Sequence, residues 1–458
     1  MSKTKFDIAD LFELRGAVIY NPDDYKATAR VTIDSRAVKK GAIFVAIKGK
    51  RFDGHSFVRD AVKNGAGAVV ISKRKLGEFD DVDIPIVAVP NTIKAFGELA
   101  AIKREKLNYK IVGITGSNGK TTTKEFAATL LSEKFKTGKT EANNNNNIGV
   151  PLTILNAKTT DEALVVELGT NHFGEIKYAA EIARPDVAMI TNIGLAHSKY
   201  LKDKKGVLKE KSALFEVTAK RDGAILLNVD DAMLKKLRKK YANVTTFGFS
   251  DDAEINGEFL GYAKDGLPKL RVTYGKRKLE VKIPLYGKAN ISNALNAVAI
   301  ALLFGLSNSE IRRGVKKFAQ TPGRFEVIKL RKATIINDAY NASPESMRAA
   351  IESLAEMPAK KRIAILADML ELGENAPELH AKLASSVKKA KFDALFLVGK
   401  NMARLAEARG VSATHFKNAA ALLKKLDDYD FTDATILIKG SRGMKLERIV
   451  KYFTEKYD

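Results

Sequence analysis

Ile111-Val112-Gly113-Ile114-Thr115-Gly116-Ser117-Asn118-Gly119-Lys120-Thr121-Thr122-Thr123-Lys124 changes character twice within a short span. The apolar run reads as a buried strand, the glycine-rich stretch as a turn, and the threonines as the opening of a helix near Thr122. Gly116 and Gly119 let backbone N–H groups come close to phosphate oxygens, and the helix N-terminus adds its dipole. Lys120 adds positive charge, and Thr121 places a hydroxyl within reach of Mg2+. The general phosphate-loop pattern G-x-x-x-x-G-K-[ST] is missed by one residue, because Ile114 stands where its first glycine belongs. A plain glycine turn is the simpler alternative. The ordered succession of strand, Gly-Lys-Thr and helix favours a phosphate loop.

Outward from this loop, apolar runs at 163–167, 187–191 and 224–228 read as buried strands separated by helical stretches. Such alternation implies a mainly parallel sheet. Residues 254–285 turn β-rich, and a helix follows at 291–304. On the N-terminal side, strands at 42–47, 67–71 and 84–89 surround helices at 56–63 and 92–104, and a charged stretch at 103–106 marks a boundary near 107. Beyond Gly323 a third alternation places strands at 334–337, 363–367, 394–398 and 435–439. The expected fold class is α/β in three domains. A small N-terminal α/β domain (1–107) and a C-terminal Rossmann-like domain (321–458) flank a central P-loop-type, mainly parallel sheet (108–320). The 458 residues suit about three cores.

Composition narrows the function classes. The chain is 45% hydrophobic and 29% charged, as in folded proteins that are not membrane-embedded, and no apolar run approaches the length of a membrane span. Asp7, Asp10 and Glu13 interrupt any secretory signal, so the chain is expected in the cytoplasm, without membrane insertion. The absence of cysteine removes disulfides, thiolate metal sites and cysteine nucleophiles. A net charge of +24 invites a nucleic-acid reading. The lysines are spread along the chain on solvated helix faces, however, and no basic-aromatic stacking segment accompanies them, so nucleic acid is not an expected partner.

Glu167 closes one of the central strands and His197 follows another, at the sheet edge where ligands of open α/β sheets collect. A carboxylate, an imidazole and a phosphate chain can together hold Mg2+.

The loop from Ile114 to Lys124 resembles the T-G-[ST]-N-G-K-T-T loop of the Mur ligase family, which has this shortened glycine spacing. Glu167-Leu168-Gly169-Thr170-Asn171-His172-Phe173-Gly174-Glu175-Ile176 and Thr191-Asn192-Ile193-Gly194-Leu195-Ala196-His197 resemble segments of its D-alanyl-D-alanine-adding branch. So do Gly323-Arg324-Phe325, the stretch from Asn337 to Met347, Asp368-Met369-Leu370-Glu371-Leu372-Gly373-Glu374 and Lys439-Gly440-Ser441-Arg442. Asp34-Ser35-Arg36 and Phe52-Asp53-Gly54-His55 resemble the family's nucleotide-sugar-binding domain. Two stretches are less regular. Gly287-Lys288-Ala289-Asn290-Ile291-Ser292-Asn293 has Ala289 where the family carries a ring, and the run from Glu141 to Pro151 keeps the family's Asn-Asn-x-Ile-Gly-[VT]-P ending but is unusually asparagine-rich from Asn143 to Asn147, which alone reads as a polar loop.

The resemblance implies an ATP- and Mg2+-dependent ligase that joins D-alanyl-D-alanine to UDP-N-acetylmuramoyl-tripeptide through an acyl phosphate, acting as a monomer. It implies that Gly116, Ser117, Asn118, Gly119, Lys120, Thr121 and Thr122 hold the nucleotide phosphates, with Asn290, Asn293, Arg324 and Asp338 completing the nucleotide site. Thr121, Glu167, His197 and a carbamylated Lys211 are the implied metal ligands, and Lys120, His197 and Lys211 the catalytic set. Ser35, Arg36, Asn341, Lys439, Ser441 and Arg442 are the implied substrate contacts. Within the superfamily, MurE-type ligases and folylpolyglutamate synthetase are the alternatives. A D-N-P-R-type motif, expected of the first, is absent, and a phosphate loop close to the N-terminus, expected of the second, is not seen.

Overall fold

The computed structural model describes residues 4–195 and 198–458, which form three α/β domains, each on its own sheet. In the central sheet, Val187–Ile190, Lys110–Thr115 and Ala163–Glu167 lie side by side and parallel. Their side chains alternate between two cores. Ile111, Leu164, Val166, Ala188 and Ile190 face one, and Val112, Ile114, Val165, Val187 and Met189 face the other. Helices cover both faces, so these strands read as continuous apolar runs. Thr137–Lys139 flanks them on one side. Ala224–Asn228 and Val244–Gly248 flank them on the other and lead to a meander of Ile255–Tyr262, Pro268–Tyr274 and Arg277–Lys282. The register Ile114↔Glu167 brings the strand ends, and the loops after them, to one edge.

The N-terminal sheet runs in the order Val18–Tyr20, Ile86–Val89, Ala68–Ser72, Ile43–Val45, Val31–Thr32, antiparallel only at its first pair. One of its faces shares a core with the central domain. Val45, Val70 and Val87 pack with Phe96 and Leu99 of the helix Thr92–Lys106, and the same cluster continues into Ile111, Ile176 and Ala179. The third domain has separate cores on the two faces of its own sheet, ordered Glu326–Lys329, Thr334–Asp338, Ala434–Lys439, Lys361–Ala367, Ala394–Val398, Thr414–Phe416.

Most expected elements stand within a residue or two of their places. The helix after the phosphate loop begins at Lys120, and the helix expected at 56–63 opens as a 3-10 turn, Gly54–Phe57, before becoming α-helical at Val58–Lys63. Both starts are helix caps, where a residue or two is decided by local hydrogen bonds that periodicity does not register.

Candidate active site

The loop after Lys110–Thr115 wraps over the N-terminus of the helix Lys120–Leu131. Gly119 has φ +81, and a Cβ there would stand 2.2 Å from Asn293 Oδ1, so a side chain would push the loop off the helix Lys288–Leu303. A Cβ on Gly116 would likewise meet Thr191 Oγ1 at 1.9 Å. Bonds to the next strand end lace the loop in place. Ser117 N donates to Asn192 O at 3.0 Å, Asn118 N to Asn192 Oδ1 at 3.0 Å, and Thr191 Oγ1 to Asn118 O at 2.6 Å. Ser117 Oγ exchanges bonds with the peptide group of Gly194 at 2.8 and 3.1 Å. Lys120 Nζ donates to Gly116 O and Ser117 O, at 2.8 and 3.3 Å. Burial lowers its pKa, with Glu167 opposing that shift and Arg324 adding to it.

Glu167 is 2% exposed at the end of its strand. Its Oε1 accepts from Asn145 Nδ2 at 2.8 Å, whereas Oε2 is buried with no hydrogen-bond partner among the described residues. An acceptor left bare in a buried place calls for a cation or a donor beyond the described residues. Lys211 lies on the buried face of the helix Lys204–Ala219, while Lys209 is exposed on it. Burial and the charge of Lys120 hold the Lys211 pKa well below its ordinary value, against Glu210 and Glu167. Glu210, also buried, accepts from Gly174 N, Ile176 N and Thr170 Oγ1 at 2.7, 2.8 and 3.2 Å, fixing the start of the helix Glu175–Ala183 next to the Glu167 strand end. His197 lies outside the described residues.

The third domain supplies the opposite wall. Arg324 NH2 donates to Thr121 Oγ1 at 3.3 Å, and Ser343 Oγ donates to Asn118 Oδ1 at 2.9 Å. The guanidinium groups of Arg324 and Arg442 both stack on the Tyr340 ring, 4.0 and 4.9 Å from its centroid. Asp338 is fully engaged, with Oδ1 accepting from Phe325 N at 3.1 Å and Oδ2 from Lys439 Nζ at 2.6 Å. Lys439 also donates to Asn341 O at 3.1 Å. Ser441 Oγ accepts from Leu370 N at 2.9 Å. Between these walls lies a cleft of about 890 Å3, lined by Ser117 to Thr122, Glu167, Asn290, Asn293, Arg324 and Asp338 among others. It combines an amide-lined anion cradle, an unpartnered carboxylate oxygen and two guanidinium groups, a set suited to a polyphosphate and its counter-cation.

Family models match almost the whole chain: the Mur ligase family catalytic domain over residues 28–104, the Mur ligase middle domain over 114–301 and the glutamate ligase domain over 323–442. The chain belongs to the Mur ligase family. It is 34% identical to the UDP-N-acetylmuramoyl-tripeptide--D-alanyl-D-alanine ligase of Escherichia coli (strain K12), over 93% of each chain. Among solved structures, MurF from Acinetobacter baumannii superposes over 100% of both chains with a TM-score of 0.88 at 29% identity. MurF of Thermotoga maritima in complex with ADP superposes over 93% of this chain and 97% of that one, with a TM-score of 0.83 at 28% identity.

The Mur ligase motif residues fall into three groups in space. Ser117 to Thr122 of the phosphate loop, Glu167, Asn290, Asn293, Arg324, Asp338, Asn341, Lys439, Ser441 and Arg442 line the one cleft, where Ala289 also stands, while Gly116 packs against Thr191 and is not part of its wall. Lys211 sits behind it, within electrostatic range of Lys120 and Glu167. Ser35 and Arg36 are not part of the cleft wall. They occupy a turn of the N-terminal domain, where Asp34 bonds both the Arg36 amide and its exposed guanidinium, and Ser35 O accepts from Asn64 Nδ2. Asn145, Tyr340, Ser343 and Glu345 shape the site without having been singled out for it. Each lies in a stretch quoted from the sequence, but the partner that gives it meaning is remote in the chain.

Proposed function

We propose that this chain forms an amide between the amino group of D-alanyl-D-alanine and the terminal carboxylate of UDP-N-acetylmuramoyl-tripeptide, at the expense of ATP. The observation that carries the reading is the joining of two domains at one phosphate loop, with Arg324 on Thr121 and Ser343 on Asn118. It occurs in a chain that aligns nearly end to end with ligases named for this reaction. In the reaction, a carboxylate oxygen of the tripeptide attacks the γ-phosphorus and ADP leaves, giving an acyl phosphate. The dipeptide nitrogen then attacks the carbonyl carbon, phosphate departs with the former carboxylate oxygen, and the amine gives up a proton.

Two anions must meet in the first step, so the chain's task is to neutralise and align them. Backbone N–H groups of the loop cradle the phosphates, Lys120 turns from its loop carbonyls to the β and γ oxygens, and Arg324 adds charge from the third domain, with Tyr340 stacked beneath it. Asn290, Asn293 and Asp338 border the nucleoside. Thr121 and the bare Oε2 of Glu167 fit Mg2+ and would hold it, with His197 and a carbamylated Lys211 serving a second ion. Bound Mg2+ would neutralise the phosphate oxygens. The depressed pKa of Lys211 favours the neutral amine that reacts with CO2 to form a carbamate. Asn341, Lys439, Ser441 and Arg442 would meet the dipeptide.

The assignment of domains follows: 1–107 holds the UDP-sugar through Ser35 and Arg36, 108–320 holds ATP, and 321–458 brings the dipeptide. The enzyme is taken as a monomer working in the cytoplasm, with no nucleic-acid partner. No helix among the described residues is long and apolar enough to cross a membrane. The test is to incubate the protein with ATP, Mg2+, UDP-N-acetylmuramoyl-tripeptide and a panel of amino acids and dipeptides, and to weigh the products. D-alanyl-D-alanine should be added with release of ADP and phosphate. Addition of a single amino acid instead, or of nothing, would overturn the reading.

A further inference from the structure

The asparagine run at 143–147 takes no part in the chemistry above, yet it holds the residue on which that chemistry depends. Asn145 Nδ2 donates to Glu167 Oε1 at 2.8 Å, across 22 positions of sequence. The backbone of Asn145 is itself fixed, its N–H on Asn143 O at 2.8 Å and its carbonyl on Gly169 N at 2.7 Å. Gly169 must lack a side chain here, since a Cβ would lie 2.8 Å from Asn145 Cγ and push the amide away. Just before the run, Thr140 Oγ1 accepts from Glu167 N at 3.0 Å, and Thr140 O is held by the buried Lys124 at 2.6 Å. One connector therefore grips Glu167 by both backbone and carboxylate.

The terminal torsion of a glutamate is soft, so a carboxylate at a strand end takes many orientations unless a donor fixes one oxygen. Asn145 is that donor, and the oxygen it leaves over, Oε2, is the bare one. We propose that Asn145 is a positioning residue that ties Oε1 so that Oε2 is presented to the cation accompanying the nucleotide phosphates. This rests on the reading of Glu167 as a ligand to that cation. A purely structural role for the run would need only its backbone bonds, which a near-isosteric leucine retains.

The test is calorimetric binding of ADP to the full-length protein over a range of Mg2+ concentrations. Asn145→Ala and Asn145→Leu should raise the Mg2+ concentration giving half of the Mg2+-dependent gain in affinity by about tenfold to a hundredfold, the usual effect of losing a residue that orients a metal ligand. ADP affinity without Mg2+ should be unchanged. Gly169→Ala, which keeps both side chains but displaces the Asn145 amide, should shift the midpoint in the same direction and decides the matter if the Asn145 variants do not fold. A wild-type midpoint in these variants, alongside a shifted one in Glu167→Gln, overturns the proposal alone. A wild-type midpoint in Glu167→Gln removes the ligand reading and the proposal with it.

Discussion

The two joints between domains are built differently. Where the N-terminal domain meets the central one, a single apolar core runs through both, and two cations of the seam, Lys103 and Arg104, are buried among acceptors. Arg104 donates to Ala183 O, Arg184 O and Asp186 Oδ2 at 3.1, 3.2 and 2.8 Å, and Lys103 to Leu155 O and Ala157 O at 2.5 and 3.1 Å. Where the third domain meets the central one, no core runs through both among the described residues; Tyr286 alone of the central domain packs against the third domain's core, and polar contacts dominate: Ser343 on Asn118, Arg324 on Thr121, Leu195 N on Glu345 at 3.0 Å, and Lys288 on Glu356 at 2.5 Å. Water can replace such bonds one for one, whereas it cannot enter a continuous core without a large loss of apolar burial. The first joint makes one body of two domains, and the second can open to admit ligands and close to complete the site.

The strongest expected effect is at the closing joint's centre. Lys120→Ala should lower ligation by about a thousandfold or more, because the phosphates lose a fixed counter-charge, with little change in thermal unfolding. Phosphate-release assays and a melting curve check both halves; near-normal turnover would remove the loop from the reaction. Arg104→Ala should do the reverse. It leaves the carbonyls of Ala183, Tyr109 and Arg184 without their buried donor and should cost about 3 kcal/mol of stability, seen as a lower denaturant midpoint, with KM values unaltered. A variant of wild-type stability would dissolve the contrast between the joints. Arg324→Ala should cost about tenfold to a hundredfold in kcat/KM, the loss of one charged hydrogen bond, with unchanged melting.

The smallest effect is a pH dependence at the fixed joint. Burial lowers the Lys103 pKa to about 8 from 10.5, with Asp161 partly opposing. Between those values the unfolded chain holds a proton that the folded one has released, so this residue makes stability rise with pH across that window. Lys103→Met should flatten the rise in melting temperature from about pH 8 to 10.5. An equally steep rise in the variant would assign the titration elsewhere.

These contrasts also mark what the sequence could disclose. Strands buried on both faces, such as Ala163–Glu167 and Ala394–Val398, were legible as apolar runs. Edge strands such as Thr137–Lys139 and Glu326–Lys329 are short and only half-buried, so they carry no such signal. The phosphate loop was legible because its chemistry is local. The role of Asn145 was not, because its partner Glu167 lies 22 positions on at the end of a strand, and the bond of Ser343 to Asn118 spans 225 positions. The core shared by the first two domains was equally hidden, since periodicity tells which face is apolar and not what covers it.

The central claim, carboxylate activation by ATP at the joint between the phosphate loop and the third domain, is tested most directly with tripeptide substrate carrying 18O in its terminal carboxylate. During ligation to D-alanyl-D-alanine, one 18O should pass from that carboxylate into each phosphate released, matching the amide formed one for one. Phosphate free of label, with product still forming, would contradict the acyl phosphate and the account built on it.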